Sequence, residues 1–178
     1  MELPVSINIA PDHLLSPDFV SQLKSLLDAY EVARPQNIVL EIRETSRIAD
    51  FKRMRDRVVE CRALGVQTAL DDFGTGYSSM TYMRQLPVDE LKIDKSFVMA
   101  MMESAEDRNI VRGIIALAHA FHRTVVAEGV ATRQHMLELR GMGCDIAQGF
   151  AIARPMPAKE VTGWVNAWQF NFAPQPRL

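Results

Sequence analysis

Cysteine is scarce in this chain, which has only Cys61 and Cys144 among its 178 residues. The two thiols lie far apart in the sequence and show no Cys-x-x-Cys spacing. This pattern indicates neither a disulfide scaffold nor a zinc-binding knuckle, and we expect both side chains to be buried thiols.

The chain also lacks an excess of either charge, since 20 Lys and Arg stand against 22 Asp and Glu, a formal net charge of -2. A polynucleotide or an anionic membrane is normally bound through a basic surface, so neither partner is expected. No apolar run approaches the roughly 20 residues of a membrane span, and the N terminus has no basic segment followed by an apolar core. The expected location is therefore the cytoplasm.

With 48% hydrophobic and 24% charged residues, the composition is typical of one globular domain. We assign that domain to residues 1–173 and expect the Pro-rich residues 174–178 to fray.

Short apolar segments alternate with amphipathic ones along the whole chain. The pattern predicts strands at 5–9, 38–42, 66–70, 91–94, 124–128 and 145–148, and helices at 17–30, 51–61, 80–86, 104–122, 132–142 and 157–170. The helix at 104–122 is expected to carry Ile110, Ile114, Leu117 and Phe121 on one face. Strands and helices that alternate in this way are typical of parallel β/α units, in a layered sheet or a barrel.

A polar residue lies at or near the C-terminal end of each predicted strand: Asn8, Glu41, Asp71, Lys92, Glu128 and Gln148. Any one of them could be a turn cap, an ion-pair partner or an edge lysine. Polar groups in buried strands are costly, however, and the carboxyl ends of barrel strands hold the active site. The joint pattern therefore favours a functional site.

These side chains offer the oxygen ligands that suit Mg²⁺ or Mn²⁺ better than zinc. The adjacent carboxylates of Asp71 and Asp72 could serve two cations, an arrangement used for phosphodiester hydrolysis. Lys92 could then hold the attacking water or stabilise the charge that develops on phosphorus. The residues alone thus predict metal-dependent hydrolysis of a phosphate ester.

Several motifs resemble the EAL family, whose members hydrolyse the bacterial messenger cyclic di-GMP to linear pGpG. The motifs are VSINI at 5–9, LEIRET at 40–45, DDFGTGYSS at 71–79, LPVDELKID at 86–94, AEGV at 127–130 and QGF at 148–150. The resemblance covers nearly the whole chain and implies a (β/α)8 TIM-like barrel, a homodimer and two Mg²⁺ or Mn²⁺ ions. Because such a barrel needs about 250 residues, we expect this chain to hold the last six of the eight β/α units.

The resemblance also implies residue roles. Asn8, Glu41 and Asp71 would hold the first metal, and Asp71, Asp72 and Glu128 the second. Lys92, with Asp72 and Glu128, would be catalytic, whereas Gln148 and Pro155 would contact the substrate. Glu44 would hold the loop that contains Phe73, Gly74, Thr75 and Gly76, which couples dimer contacts to metal binding in the family.

Three departures from the family pattern lower the activity that we expect of this chain alone. The Glu-Ala-Leu signature would lie upstream of residue 1, Ala131 replaces a usual acidic residue, and Arg43 replaces a usual Thr. Three interpretations remain open: part of a longer phosphodiesterase with an upstream sensory or diguanylate-cyclase (GGDEF) domain, an inactive relative that binds cyclic di-GMP or a protein, and a plain α/β domain. An incomplete barrel would have open edges, so we also expect dimerisation, rearrangement or aggregation.

Overall fold

The computed structural model describes residues 3–30, 34–43, 51–75 and 79–172. Its six strands form one parallel sheet in which each strand pairs with its neighbours in chain order. The strands are Val5–Ile9 (β1), Ile38–Arg43 (β2), Gln67–Phe73 (β3), Glu90–Ile93 (β4), Thr124–Ala127 (β5) and Ile146–Ala147 (β6). The predicted α/β fold with six parallel strands is confirmed.

Eight α-helices lie within the described ranges. They are Pro11–Leu14 (α1), Phe19–Ala29 (α2), Phe51–Ala63 (α3), Ser79–Gln85 (α4), Lys95–Ala100 (α5), Ala105–Ala120 (α6), Arg133–Gly141 (α7) and Ala158–Phe172 (α8). Among the described residues, no helix is both long and apolar enough to cross a bilayer.

The two faces of the sheet differ in chemistry because side chains alternate along each strand. One face belongs to the main hydrophobic core, to which the strands contribute Leu40, Ile42, Leu70, Leu91, Ile93 and Val125. The strand register brings Asn8 beside Glu41, and Arg43 beside Asp71, on the opposite face. Lys92 lies on this second face too. Glu41 pairs with Ala69, and Ala69 pairs with Glu90, so these three residues share one face. Lys92 is two residues after Glu90 in the same strand and therefore points to that face as well. The polar residues therefore share a face that the core does not occupy.

Helix α5 was not predicted, although its start has a recognisable signal. Asp94 is the N-cap, and its carboxylate accepts a hydrogen bond from the backbone N–H of Ser96 at 2.9 Å. This contact satisfies one of the free N–H groups of the first turn. The residues Lys95–Ala100 thus form a helix in what the sequence pattern left as a connection.

One predicted helix start is wrong, and one predicted apolar face is buried only in part. The predicted start at Pro17 is two residues early, since α2 begins at Phe19 after Asp18. Helix α6 buries Val111, Ile114, Ile115 and Ala118, whereas Ile110 and Phe121 are exposed. Two overlapping apolar stripes on this helix fit the helical period, and packing against α5 and the sheet decides between them.

The sheet has two unpaired edges among the described residues, because β1 pairs only with β2 and β6 only with β5. Val5 and Ile7 of β1 are 56% and 46% exposed. Open edges were expected from the sequence, and this part of the expectation is confirmed.

Candidate active site at the carboxyl edge of the sheet

Lys92 lies at the centre of a group of carboxylates contributed by three other strands or their ends. Its Nζ atom is 2.7 Å from Glu41 Oε1, 2.7 Å from Glu128 Oε1 and 3.3 Å from Asp71 Oδ1. The side chain of Lys92 is only 4% exposed, so these contacts replace its hydration. A buried ammonium group needs such partners, and here each partner is an anion.

Asp71 and Asp72 both join this cluster because β3 is irregular at its end. Side chains of consecutive residues in a regular strand point to opposite faces. The pairing of β3 with β4 shifts between Leu70 and Phe73, and Asp72 has a φ of 56°. This left-handed conformation is uncommon for residues other than glycine, although Asp tolerates it better than most. The irregularity brings two successive carboxylates close to Glu128.

One oxygen atom from each of Asp71, Asp72 and Glu128 lies within 4.8 Å of the others. Asp71 Oδ1 is buried and makes no hydrogen bond with the described residues, although it lies 3.3 Å from Lys92 Nζ in an ion pair. A buried carboxylate oxygen without a hydrogen-bond partner is costly, and a hard cation is the partner that an all-oxygen ligand set favours. The three residues therefore fit a Mg²⁺-like ion.

The pKa values of the cluster are shifted by burial and by the neighbouring charges. Burial opposes the charge on Lys92, but the hydrogen bonds to Glu128 and Glu41 and the charge of Asp71 outweigh it, so the pKa of Lys92 is raised. Burial also raises the pKa of Glu128, with a smaller opposing effect from Lys92. Lys92 is therefore cationic at neutral pH and partly neutralises the carboxylates.

Arg43 forms a second ion pair at the rim of the cluster. Its Nε and Nη2 atoms donate to the same oxygen, Asp72 Oδ2, at 2.8 and 2.5 Å. The Arg43 side chain is 65% exposed and that of Asp72 is 21% exposed. The hydrogen bond and charge of Asp72 raise the pKa of Arg43, so the guanidinium is a permanent cation here.

Glu128 is positioned by a turn that only glycine can form. The Glu128 N–H donates to Ile93 O at 3.2 Å, which extends the ladder between β4 and β5 by one residue. Gly129 follows with a φ of +69°, and a Cβ atom there would lie 2.6 Å from Lys95 Cβ. Any other residue would have to displace α5 or the end of β5.

A cavity of about 430 Å³ adjoins the acidic cluster at Glu128. Its other lining residues include a cation, an amide and large apolar groups: Lys95, Met99, Gln148 and Phe150. The guanidinium of Arg154 lies 4.9 Å from the centre of the Phe150 ring. The cavity thus offers a positive charge and apolar surface directly beside the carboxylates.

A cavity of about 480 Å³ elsewhere has a different lining. It includes four basic side chains, Lys52, Arg55, Arg84 and Arg123. Leu86 and Arg123 precede β4 and β5, so this cavity reaches the opposite edge of the sheet. Because none of its lining residues is acidic, it does not provide a site for divalent cations.

The structure places the remaining predicted site residues less closely together. Asn8 is exposed and lies next to Glu41 on the neighbouring strand, and Gln148 is exposed at the rim of the cavity. Pro155 is exposed and is not among the residues that line this cavity. The roles assigned to these residues stay predictions.

The predicted coupling loop is described only in part. Phe73 is buried at the end of β3, and a Cβ atom on Gly74 would lie 2.8 Å from the Phe97 ring. The Thr75 hydroxyl donates to Asp72 O at 2.9 Å. Glu44 and Gly76 lie outside the described residues, as do residues 174–178. The coupling role and the domain boundary at 173 stay predictions.

Sequence reasoning gave no site contact to the two basic residues that flank the cluster, although Arg43 was singled out as a departure from the family pattern. Arg43 is two residues after Glu41 in β2, so strand alternation alone places it on the site's face. Lys95 could have been found only by recognising α5, whose N-cap signal is Asp94. The pairing of Arg43 with Asp72 required knowledge of the irregular strand end.

A parallel β/α fold with acidic side chains at the carboxyl ends of its strands defines a β/α-barrel type of protein with a site at that edge. The sequence profile of the EAL domain matches residues 1–155, so the chain belongs to the EAL domain family. The predicted family, and with it the TIM-like barrel fold, is confirmed.

Relatives and solved structures agree with this assignment. The cyclic di-GMP phosphodiesterase NbdA of Pseudomonas aeruginosa is 36% identical over 175 residues, which are 98% of this chain and 22% of NbdA. The EAL domain of Mycobacterium smegmatis DcpA superposes with a TM-score of 0.87 at 38% identity, over 92% of this chain and 73% of that domain. The manganese and cyclic di-GMP complex of Klebsiella pneumoniae BlrP1 superposes with a TM-score of 0.79 at 32% identity, over 86% of this chain and 39% of BlrP1.

The chain spans about a fifth of the length of the curated relatives that it matches. The activity of those longer proteins therefore comes to this chain only as a proposal.

Proposed function

We propose that this chain binds cyclic di-GMP through divalent cations and belongs to the catalytic apparatus of a cyclic di-GMP phosphodiesterase. The observation that carries the proposal is the convergence of Asp71, Asp72 and Glu128, whose oxygen atoms lie within 4.8 Å of one another. Membership of the EAL family and the cyclic di-GMP complex of the similar protein BlrP1 support the choice of cyclic di-GMP.

The acidic residues would hold the cations. Asp71, Asp72 and Glu128 offer one site, and Glu41 with Asn8 on the next strand extends the ligand set towards a second. Bound cations would supply Lewis-acid stabilisation of the phosphodiester and an activated water. The manganese complex of BlrP1 supports Mn²⁺ as a cation for this site, and Mg²⁺ shares its preference for oxygen ligands.

Lys92 would hold the attacking water and stabilise the charge that develops on the phosphate. Its ammonium lies within 2.7 Å of Glu128 and Glu41, so a water between these carboxylates would meet its N–H groups. Lys92 stays charged because its pKa is raised. A fixed positive charge in a buried site stabilises a transition state more strongly than it would in water.

The cavity beside Glu128 would receive part of the nucleotide. Lys95 supplies a charge for a phosphate, Gln148 supplies an amide, and Met99 and Phe150 supply surface for a base. A ligand that combines phosphates with planar bases matches this combination of groups.

A second candidate is binding without turnover. Two observations favour it: Arg43 neutralises Asp72, and Ala131 in the lining of the cavity offers no carboxylate. The first feature would weaken cation binding at Asp72, and the second leaves the cavity beside Glu128 one possible ligand short, while the cavity stays open.

Incubation with cyclic di-GMP and Mn²⁺, followed by chromatography for pGpG and by calorimetry for binding, tests the proposal. We expect metal-dependent binding that Asp71→Asn weakens at least tenfold and that Asp56→Asn, an exposed change on α3, leaves unaltered. Formation of pGpG would support hydrolysis by this chain. Binding of cyclic di-GMP without formation of pGpG would support the second candidate. Absence of metal-dependent binding overturns both.

Homodimerisation, an upstream sensory or GGDEF domain and a cytoplasmic location stay predictions.

A further inference from the structure

The pairing of Arg43 with Asp72 has a consequence for metal binding that rests on the proposed function. A cation held by Asp71, Asp72 and Glu128 needs an oxygen from each of the three carboxylates. Asp72 Oδ2 already accepts two hydrogen bonds from Arg43. The guanidinium and a divalent cation would therefore share the negative charge of one carboxylate, whichever of its two oxygens binds the cation.

The cluster is already partly neutralised in the described structure. Glu41, Asp71, Asp72 and Glu128 are the four carboxylates, and the two cationic side chains are Lys92 and Arg43. Each positive side chain lowers the attraction of the cluster for a cation. Arg43 contributes this effect at Asp72, whereas Lys92 acts at the other three carboxylates.

The side chains of Lys92 and Arg43 differ in how easily they can move away from the carboxylates. Lys92 is 4% exposed and contacts three carboxylates, so moving it would strand buried charges. Arg43 is 65% exposed and contacts one carboxylate, so it can turn into solvent at little cost. Arg43 is therefore the partner that an incoming cation can displace.

We propose that Arg43 is a positioning residue that sets the affinity of the Asp71–Asp72–Glu128 site for a divalent cation by competing for Asp72. The guanidinium holds the Asp72 carboxylate in place when the cation is absent and yields it when the cation binds. Because the competing ion pair is exposed, Arg43 weakens cation binding without preventing it.

Mn²⁺ titrations of the whole 178-residue chain, read by the free-ion signal in electron paramagnetic resonance, test this proposal without any activity assay. We expect Arg43→Thr to bind Mn²⁺ about three- to tenfold more tightly than the wild type, which is the range for loss of an exposed ion pair and one nearby charge. Arg43→Lys keeps the charge, and its Mn²⁺ affinity should lie between those of the wild type and Arg43→Thr. Arg112→Gln removes one positive charge from an exposed position on α6, as Arg43→Thr does from β2, and its Mn²⁺ affinity should match that of the wild type.

A double-substitution cycle shows whether the effect passes through Asp72. In the Asp72→Asn background, where the shared carboxylate is gone, Arg43→Thr should change the Mn²⁺ affinity by less than about twofold. The full gain in that background, or equal affinities of Arg43→Thr and the wild type, would overturn the proposal.

The proposed function can fail separately from this inference. If no variant shows saturable Mn²⁺ binding, both are overturned. Saturable binding that Asp71→Asn weakens but Arg43→Thr leaves unaltered overturns only the role of Arg43.

Discussion

At the scale of single residues, the ammonium of Lys92 lies between the carboxylates of the acidic cluster. It lies 2.7 Å from each of Glu41 and Glu128 and is almost completely buried. Glu41 is buried and Glu128 is half-buried, so both charges depend on the cation that they share. Lys92 therefore stabilises the metal-free fold as well as serving the proposed chemistry.

Lys92→Met tests this structural role. The variant leaves Glu41 and Glu128 without their cation, and we expect a loss of about 3–5 kcal/mol in the free energy of unfolding without metal. Added Mn²⁺ should restore part of the loss, because it supplies positive charge to the same carboxylates. Urea unfolding with and without Mn²⁺ measures both effects.

Lys95→Met is the matched control, since Lys95 is exposed and the ion pairs of those carboxylates are made by Lys92. If both variants lost the same free energy of unfolding, the contacts of Lys92 with the carboxylates would not be the source of its stabilising effect.

Strand ends allowed several residues of the site to be predicted. Glu41, Asp71, Lys92 and Glu128 converge as expected because carboxyl ends of parallel strands meet at one edge. The contact of Arg43 with Asp72 could not be predicted, since it depends on the register shift and the positive φ of Asp72. Such local irregularities leave no periodic signal in the sequence.

At the scale of elements, the turn after β5 fixes Glu128 relative to α5. Gly129 combines a positive φ, which disfavours a Cβ atom, with an approach to Lys95 that leaves no room for one. The position of the Glu128 carboxylate therefore depends on one glycine.

Gly129→Ala should cost about 1–3 kcal/mol of unfolding free energy and should weaken Mn²⁺ binding, because the turn must move. Gly113→Ala on α6 is the control, since a Cβ atom there has no heavy atom of the described residues within 4 Å. Alanine favours a helix over glycine by roughly 0.8–1 kcal/mol, so this variant should gain stability. If both variants shifted the denaturation curve in the same direction, the claim that the turn at Gly129 has no room for a Cβ atom would be contradicted.

Asp145, just before the short strand β6, ties this segment to β5 and α6 through its side chain. Its carboxylate accepts hydrogen bonds from Val125 N at 2.8 Å and from His119 Nε2 at 2.9 Å. Burial opposes the charge, but these bonds and the nearby His119 outweigh it, and the pKa of Asp145 is lowered. A lowered carboxyl pKa stabilises the fold above the unfolded value, and this stability is lost as the pH falls through the folded value.

Asp145→Asn should therefore speed amide hydrogen exchange in residues 146–152 at pH 7. The effect should be small, about 1 kcal/mol or less, because the Asp145 and His119 side chains are 41% and 42% exposed. The difference from the wild type should narrow as the pH falls below about 4. A difference that persists unchanged at low pH would rule out the ionised carboxylate as its cause.

The elements show where sequence patterns are sufficient. Most of the strands have strong apolar cores, and their positions were predicted within one to three residues. Helix α5 was missed because six residues are too few for a clear helical period. The apolar face predicted for α6 is buried only in part, because tertiary packing, and not the period, selects the buried residues.

At the scale of the whole molecule, the open sheet leaves an apolar edge strand in contact with solvent. Val5 and Ile7 of β1 are each about half exposed, and backbone groups on the outer side of β1 have no strand partner within the described chain. Such an edge is prone to pair with another chain.

We expect concentration-dependent self-association of the isolated chain in sedimentation velocity, and Ile7→Lys should reduce it because a charge on the edge opposes pairing. Ile110→Lys on α6 is the control, since Ile110 is also exposed but lies on a helix. A monodisperse wild-type monomer across the concentration range would be evidence against pairing through β1.

The central claim for the whole molecule is that the carboxyl edge of the sheet holds a divalent cation at Asp71. Anomalous diffraction from crystals grown with Mn²⁺ locates the ion directly. We expect an anomalous peak within about 2.5 Å of an Asp71 carboxylate oxygen, with Asp72 or Glu128 as a further ligand. An ordered Asp71 with no such peak at saturating Mn²⁺ would contradict the claim.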